Sequence, residues 1–346
     1  MKFGIIGSGS WGTALAKILT DNGQSIYWWN RSAQAIEQFK TRSHNPQYLP
    51  SARFNMQQLQ LTTRAEEVVE NSDVIVIAIP SAFAIEALEL LPKDCFRGKK
   101  IVSAIKGILP QNNLLLNDYL QQQFHVPLED YFAVLGPCHA EEVAQEKLSY
   151  LTFSGVDTAV TAQIASYFVT PYIHTITNKD IYGVQYAAIL KNIYAVGAGI
   201  AHGLDYGDNF LSVLIANSAD EMAGFLRKAG IINAEVGYID HKKSEIPADA
   251  HHNYAASVYL GDLLVTCYSL HSRNRTFGNM IGKGYSVQAA QLEMSMVAEG
   301  YFASKCMYHI NEKVLADMPI ATTVYNILWN GTGAADGFAG IEAELV

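Results

Sequence analysis

Short apolar runs alternate with amphipathic stretches along the first half of the chain. Seven runs rich in Val, Ile and aromatic residues are predicted strands: 2–6, 25–29, 73–79, 100–104, 131–135, 151–154 and 172–176. Between them, apolar positions recur with helical spacing in 11–21, 32–42, 82–91 and 140–145. Continuous apolar strands separated by helices are typical of parallel pairing with both sheet faces covered. This half is therefore predicted to be a doubly wound α/β sheet.

The second half changes to long helical periodicity rich in Ala, Gly, Met and Leu. The predicted helices are 180–204, 208–229, 256–270, 288–309 and 319–329. The pattern predicts two domains, an α/β domain over 1–178 and an all-α domain over 179–346. Between two of the helices, 231–253 is polar and lacks periodicity, so it is interpreted as a surface excursion.

Composition and charge exclude several classes of protein. The chain has 346 residues, 49% of them hydrophobic, which is a globular composition. The net charge of −9 argues against general binding to nucleic acid or to anionic membranes. Four scattered cysteines give no disulfide framework or metal-ligand spacing, so we expect no metal and a reduced, cytoplasmic protein. We also expect no signal peptide and no membrane span.

A glycine-rich turn follows the first predicted strand and opens the first helix. Gly7, Gly9 and Gly12 have the G-x-G-x-x-G spacing, and Ser10 and Trp11 stand inside it. In that context the glycines permit a tight turn, close approach of a pyrophosphate and close helix packing. The motif predicts a dinucleotide site at the helix N-terminus. The alternative is a glycine-rich turn without a ligand.

The second strand ends without the carboxylate that NAD-specific folds place there. Arg31 follows Trp28, Trp29 and Asn30 instead. A guanidinium suits a 2′-phosphate, so NADP is expected to be tolerated or preferred. The alternative is that Arg31 stacks on adenine without selecting between the cofactors.

One lysine lies in an otherwise uncharged, apolar stretch, where burying its charge would cost free energy. Lys191 is the single formally charged residue between 181 and 204, and Asn192 beside it adds an amide. Burial disfavours an ammonium group and lowers its pKa, which would make Lys191 a proton donor and acceptor near neutral pH. The alternative is a lysine whose ammonium extends along the helix to water.

Further polar groups stand at strand ends and helix starts. Lys106 follows a predicted strand, and Gly136, Cys138 and Ala140 follow another and open a short helix, which is where open sheets bind ligands. The cluster 272–275 (SRNR) at a helix start suits a phosphate. Asp262 either caps its own helix or pairs with Lys191. The alternatives are that Lys106 is simply an exposed lysine, that the segment from Gly136 is a plain Gly-Pro turn, and that 272–275 is a solvated basic turn.

Together these segments resemble bacterial-type NAD(P)-dependent glycerol-3-phosphate dehydrogenases. The matching segments keep the family's order over nearly the whole chain, and the most specific are 7–15 (GSGSWGTAL), 188–192 (AILKN), 203–209 (GLDYGDN) and 272–275 (SRNR). The resemblance implies a Rossmann-like domain followed by a helical substrate domain. It also implies interconversion of sn-glycerol 3-phosphate and dihydroxyacetone phosphate with NAD or NADP, supply of phospholipid synthesis, and a homodimer.

The resemblance also implies roles by position. Lys191 would exchange the proton with the substrate. Asp262 and Thr266 would hold the network of lysines that includes Lys106. Arg273 and Asn274 would bind the phosphate. The implied cofactor contacts, beyond the glycines, are Ser10, Trp11, Arg31, Lys106, Ala140, Arg273, Val297 and Glu299. The implied substrate contacts are Lys106, Gly136, Cys138, Lys191, Asn192, Asp262, Ser272, Arg273 and Asn274.

Three departures from the family pattern bear on the substrate. Cys138 stands where the family usually has Ser, the run 254–260 replaces a Gly-rich one, and 231–253 is longer than usual. They put substrate affinity in question more than the type of reaction. Two other functions stay open: a related hydroxy-acid dehydrogenase of the 6-phosphogluconate type, and a nucleotide sensor without catalysis. A sensor has no need for a buried proton carrier, which argues against the second.

Overall fold

The computed structural model describes residues 1–231, 257–294 and 296–346. The chain divides into two compact units, one of Met1–Ile105 with Leu114–Ile181 and one of Lys106–Asn113 with Tyr182–Val346. The second unit thus takes in a short segment from within the first, which no composition change had indicated. Nearly all of the predicted polar excursion at 231–253, with its histidines, lies outside the described residues, as does the first part of the 254–260 run.

The first unit is built on one eight-stranded sheet in the order β3-β2-β1-β4-β5-β6-β7-β8. Its strands are β1 Phe3–Ile6, β2 Ile26–Trp29, β3 Leu59–Thr62, β4 Val74–Ile77, β5 Lys100–Ser103, β6 Tyr131–Leu135, β7 Ser149–Ser154 and β8 Ile173–Asn178. Fully buried apolar residues fill β1, β4 and β6. This confirms the doubly wound α/β fold, because such strands need helices on both faces.

Two details of the sheet differ from the sequence prediction. The edge strand β3 was missed, because in Leu59–Thr62 only Leu59 is buried and no apolar run marks it. The expectation of parallel pairing is wrong at one place, since β6 and β7 are antiparallel. The helix between them, Ala140–Ala144, has five residues and is too short for the crossover that a parallel pair requires.

Seven helices flank the strands in the described part of the first unit. They are α1 Ser10–Asp21, α2 Ala33–Arg42, α3 Ala65–Glu70, α4 Ser81–Glu89, α5 Leu116–Phe124, α6 Ala140–Ala144 and α7 Thr158–Ser166. Single 3₁₀ turns occur at Met56–Gln58 and Leu128–Asp130. Helix α1 begins directly after the glycine-rich turn, so the phosphate-binding motif has the strand–turn–helix context that it requires.

Apart from the non-helical segment Lys106–Asn113, the regular secondary structure in the described part of the second unit is helical. Its helices are α8 Ile181–Gly203, α9 Asp208–Lys228, α10 Asp262–Tyr268, α11 Arg273–Gly282, α12 Val287–Glu293, α13 Glu299–Val314, α14 Pro319–Trp329 and α15 Ala334–Glu342. A wide π-helical turn at Ser257–Gly261 leads into α10. The all-α prediction is confirmed, and α14 has the predicted bounds.

The predicted helix 288–309 is wrong as a single helix. The chain leaves the helical conformation after Glu293 and α13 begins at Glu299. At that point the amide N–H of Gly300 donates to Oδ1 of Asn274 at 2.9 Å. The side chain of another helix therefore satisfies a backbone donor in the first turn of α13, and local periodicity does not reveal such a partner.

Helices α8 and α11 approach each other closely enough that only glycine fits at the contact. A Cβ built on Gly278 would lie 2.0 Å from the carbonyl oxygen of Val196, and one on Gly282 would lie 2.3 Å from that of Ile200. From the other side, a Cβ on Gly199 would lie 2.1 Å from the carbonyl oxygen of Arg275. Backbone-to-backbone packing thus fixes where α11 lies along α8.

Among the described residues, none of the helices is both long and apolar enough to cross a membrane.

We predict that the Gly278→Ala variant is less stable than the wild type by about 2 kcal/mol or more, because the added methyl group forces α8 and α11 apart. Urea-induced unfolding followed by circular dichroism measures this. The control is Gly224→Ala in α9, where a Cβ meets no atom within 4 Å. There alanine should stabilise the helix by about 0.5–1 kcal/mol. Shifts of the same sign in both variants would contradict the packing argument.

Candidate functional site

The turn between β1 and α1 has the shape of a phosphate cradle. Gly7 has a φ of +125°, and a Cβ there would lie 2.3 Å from the carbonyl oxygen of Ala78. A Cβ on Gly12 would lie 2.3 Å from the carbonyl oxygen of Gly7, whereas one on Gly9 would meet nothing within 4 Å. The outer glycines are thus required by packing, and Gly9 leaves open space in front of the backbone. The geometry fits a pyrophosphate at the N-terminus of α1.

Side chains from outside the motif bind the carbonyl groups of this turn. The indole Nε1 of Trp28 donates to the carbonyl oxygen of Gly7 at 2.9 Å. The amide Nδ2 of Asn45 donates to the carbonyl oxygen of Ser8 at 3.0 Å and to Oγ1 of Thr13 at 2.8 Å. Neither Trp28 nor Asn45 was predicted from the sequence to contact this turn. Asn45 is far from the turn in sequence, so no spacing rule links the two.

Other predicted residues of the first unit lie where the parallel strands end. Arg31 follows β2 and is exposed. Gly136 follows β6 with a φ of +141°, and its Cβ position lies 2.5 Å from the carbonyl oxygen of Tyr150. The thiol of buried Cys138 donates to that same oxygen at 3.1 Å, and Ala140 begins α6. These residues share the carboxyl edge of the sheet with the cradle, as ligand sites of open α/β sheets do.

A buried ion pair lies at the centre of the second unit. Lys191 in α8 is 3% exposed and Asp262 at the start of α10 is 1% exposed. Nζ of Lys191 donates to Oδ1 of Asp262 at 2.5 Å and to Oγ1 of Thr266 at 3.1 Å. The hydroxyl of Thr266 in turn donates to the carbonyl oxygen of Asp262. Lys191 is therefore held by two partners one turn apart on α10, and its ammonium group does not extend to water.

Burial controls the protonation of this lysine. Desolvation lowers the pKa of Lys191 from 10.5 to about 8, although the negative charge of Asp262 acts in the opposite direction. The nearby positive charge of Lys106 acts in the same direction as burial and contributes to this lowered value. An amine with such a pKa is present in both its charged and its neutral form near pH 8. It can therefore give and take a proton at the same position.

Lys106 approaches the same carboxylate from the other side. Its Nζ lies 3.6 Å from Oδ2 of Asp262. Two lysines thus share one carboxylate, and the cluster carries a net positive charge whenever Lys191 is protonated. That charge favours an anionic ligand.

Two buried amides connect the lysine cluster to the helices around it. Nδ2 of Asn192 donates to the backbone carbonyl of Lys106 at 2.7 Å, and Oδ1 of Asn192 accepts from Nδ2 of Asn274 at 2.9 Å. Oδ1 of Asn274 accepts the amide N–H of Gly300. The chain of hydrogen bonds joins the segment of Lys106, α8, α11 and the start of α13. Because Asn274 hydrogen-bonds both Asn192 and the backbone of Gly300, it has a structural role in joining these helices. The sequence did not indicate this role.

The predicted anion clamp begins α11. The hydroxyl of Ser272 caps the helix by accepting the amide N–H of Arg275, and half-buried Arg273 is the first helical residue. Val297 and Glu299 are half-buried at the start of α13. A guanidinium beside a helix N-terminus is suited to a phosphate group. Ligand contacts of these residues stay predictions.

Family comparisons agree with this geometry. Residues 2–161 match the family model described as NAD-dependent glycerol-3-phosphate dehydrogenase N-terminus, and residues 180–338 match the model of its C-terminus. A relative from Bacillus cytotoxicus named glycerol-3-phosphate dehydrogenase (NAD(P)+) is 32% identical over 99% of this chain and 96% of its own. One of the same name from Bacillus anthracis is 31% identical over the same shares.

Solved structures share the fold. A glycerol-3-phosphate dehydrogenase from Coxiella burnetii superimposes with a TM-score of 0.83 at 23% identity, over 98% of both chains. One from Plasmodium falciparum has a TM-score of 0.81 at 18% identity, over 98% of this chain and 94% of that one.

We predict that two substitutions move the pKa of Lys191 in opposite directions. Asp262→Asn should lower it below about 8, since the attraction to the carboxylate is lost while burial stays. Lys106→Met should raise it, since the repulsion is lost. Titration of ¹³Cε-labelled lysine by NMR measures both, and the Lys191→Met spectrum assigns the signal. Shifts in the same direction would show that the charges of Lys106 and Asp262 do not control this group.

Proposed function

The chain belongs to the NAD-dependent glycerol-3-phosphate dehydrogenase family, and we propose that it interconverts sn-glycerol 3-phosphate and dihydroxyacetone phosphate with NAD(P). The observation that carries the proposal is the buried amine of Lys191, held between Asp262 and Thr266. A reaction that turns a secondary alcohol into a ketone must remove one proton from oxygen and one hydride from carbon. NAD(P), when bound, supplies the hydride chemistry.

Lys191 is the proposed acid and base. In the direction of oxidation, neutral Nζ accepts the proton of the C2 hydroxyl as the carbonyl forms. In the direction of reduction, the ammonium group gives that proton to the ketone oxygen. Asp262 stabilises the charged form, and its hydrogen bond fixes the direction in which Nζ points.

The other lysine and the threonine have supporting roles in this proposal. Thr266 holds Nζ of Lys191 from a second side, which limits the rotation of the amine. Lys106 shares Asp262 with Lys191, and its positive charge adds to the effect of burial in lowering the pKa of Lys191. Both lysines are suited to contact an anionic substrate through the net positive charge of the cluster.

The phosphate of the substrate is proposed to bind at the start of α11. Arg273 supplies a guanidinium and Ser272 lies at the helix N-terminus, where backbone N–H groups and the helix dipole favour an anion. Asn274 would add one N–H, because its oxygen already accepts the N–H of Gly300. Gly136, Cys138 and Asn192 complete the proposed substrate contacts, and the engagement of the Cys138 thiol with Tyr150 favours a backbone contact at that position.

The nucleotide is proposed to bind along the cradle and the neighbouring strand ends. Gly7, Gly9, Ser10, Trp11 and Gly12 would hold the pyrophosphate region. The other proposed cofactor contacts are Arg31, Lys106, Ala140, Arg273, Val297 and Glu299. The fit rests on the open space at Gly9 and on the exposure of Arg31 at the end of β2.

The wider setting is inferred from the family. We propose a homodimer in the cytoplasm that supplies glycerol 3-phosphate for phospholipid synthesis. Four cysteines without a disulfide fit a reducing compartment. Light scattering of the purified protein tests the oligomeric state, and a monomer would contradict this part of the proposal.

We predict that Lys191→Met lowers kcat for reduction of dihydroxyacetone phosphate about a thousandfold, as expected for loss of general acid catalysis. In the wild type, kcat for reduction should fall above about pH 8, where Nζ loses its proton, and kcat for oxidation should rise through the same range. Both limbs should be absent from the residual activity of the variant. Loss of reduced-nicotinamide absorbance measures the rates.

The matched control for this experiment is Lys283→Met, which removes an exposed lysine at the end of α11. Its rates and pH profile should equal those of the wild type. Wild-type protein that binds NADH and yet reduces no dihydroxyacetone phosphate would contradict the proposed function. Activity with a sugar acid instead would favour the 6-phosphogluconate type of dehydrogenase.

We predict that Arg31→Ala weakens NADPH binding about tenfold or more and changes NADH binding little, because NADPH alone carries the 2′-phosphate. Isothermal titration calorimetry with both nucleotides measures this. Arg97→Ala is the control, since exposed Arg97 precedes β5 and so lies toward the amino edge of the sheet. A strong wild-type preference for NADH, unchanged in Arg31→Ala, would overturn this role of Arg31.

A further inference from the structure

We propose that Trp28 and Asn45 are positioning residues for the cofactor, because they fix the peptide groups of the glycine-rich turn before the nucleotide arrives. The inference rests on the proposed function in that the ligand of the turn is a dinucleotide. Neither residue belongs to the glycine motif, and neither is assigned to the site by the family resemblance.

Three successive carbonyl groups of the turn are bound on the protein side. The carbonyl of Gly7 accepts from Trp28 Nε1 at 2.9 Å, and that of Ser8 accepts from Asn45 Nδ2 at 3.0 Å. The carbonyl of Gly9 accepts from both the backbone N–H and the hydroxyl of Thr13, each at 2.9 Å, as in a first helical turn. The first two bonds come from side chains outside α1.

Because the peptide bond is planar, fixing these carbonyl groups also fixes the direction of the N–H groups that follow them. In a trans peptide the C=O and N–H bonds point in opposite directions. Holding the carbonyls of Gly7, Ser8 and Gly9 therefore directs the N–H groups of Ser8, Gly9 and Ser10 to the other side of the chain. Space is open beside Gly9, where no atom beyond the adjacent residues lies within 4 Å of the Cβ position. Donors aimed into open space at a helix N-terminus are suited to a phosphate.

Both positioning side chains are buried and held by contacts of their own. The indole of Trp28 is 1% exposed and packs edge-on against Phe39, with ring centroids 5.3 Å apart. Asn45 is 2% exposed, and its Oδ1 accepts the amide N–H groups of Gln47 and Tyr48 at 3.0 and 3.2 Å. The same Asn45 amide also donates to Thr13 in the first turns of α1.

Glycines make this restraint necessary. Gly7 and Gly9 flank Ser8, and glycine is the residue with the greatest conformational freedom, so the isolated turn could rotate its peptide planes at little cost. A rotated plane would present a carbonyl oxygen to the phosphate and repel it. Fixing the planes in advance removes an ordering cost from binding, which appears as affinity.

The test measures nucleotide affinity in the variants Trp28→Phe and Asn45→Ala. Phenylalanine keeps an aromatic ring against Phe39 and removes the indole N–H together with one of the two fused rings, a loss of volume that the control below shares. Trp29→Phe is the matched control, because Trp29 is the next residue on β2 and its Nε1 donates to the carbonyl of Thr63, away from the turn. Isothermal titration calorimetry with NADH and with ADP-ribose, which carries the pyrophosphate without nicotinamide, gives the dissociation constants.

We expect each variant to weaken both ligands about tenfold, a loss corresponding to about 1.4 kcal/mol, and Trp29→Phe to bind as the wild type does. KM for NADH should rise in parallel, while kcat at saturating NADH and KM for dihydroxyacetone phosphate stay near the wild-type values. A variant that merely lost folded protein would instead lower kcat and leave the affinity of the folded fraction unchanged.

Dissociation constants in Trp28→Phe and Asn45→Ala that equal those of Trp29→Phe would overturn the inference, as would a loss of kcat without a change in affinity. Wild-type protein that binds neither NADH nor ADP-ribose would overturn the proposed function itself. The two failures are therefore distinguishable by the wild-type titration alone.

Discussion

The ion pair between Lys191 and Asp262 is the interaction on which the chemistry of the second unit depends. Removing two charges from water costs several kcal/mol for each ion, and mutual attraction repays this only with good geometry and further hydrogen bonds. Here Thr266 supplies such a bond to Nζ of Lys191. The ion pair is therefore not expected to add much to the stability of the fold. Its proposed role is to hold a buried amine whose pKa, at about 8, lies near the pH at which it would exchange protons.

The surrounding helices are arranged so that this pair has a single geometry. Contacts through Gly199, Gly278 and Gly282 set α11 against α8 at backbone distance. That contact places Asn274 within hydrogen-bond distance of Asn192, the residue next to Lys191. A bulkier residue at any of these glycines would displace the amide as well as the helix. Packing and chemistry are therefore coupled along one face of α8.

The first unit follows the same logic with different groups. The glycines of its turn allow many backbone conformations, and hydrogen bonds from Trp28 and Asn45 restrain two of its peptide groups. In both units, a group that is proposed to meet a charged ligand is oriented by a hydrogen bond from or to a buried polar side chain. Such support is what separates a motif present in the sequence from a site with defined geometry.

The fold class, the strand–turn–helix around Gly7–Gly12 and the unusual position of Lys191 could all be predicted without a structure, because they depend on local periodicity, on spacing and on the cost of a charge in an apolar run. Local patterns carry no information on partners distant along the chain. The folded chain was needed to show that Asp262 pairs with Lys191 and does not simply cap its helix. It was also needed to show that Asn274 accepts the amide N–H of Gly300 in the first turn of α13. The edge strand β3 and the antiparallel direction of β7 also could not be predicted from apolar runs. The pairing of β3 with β2 and the connection between β6 and β7 determine them.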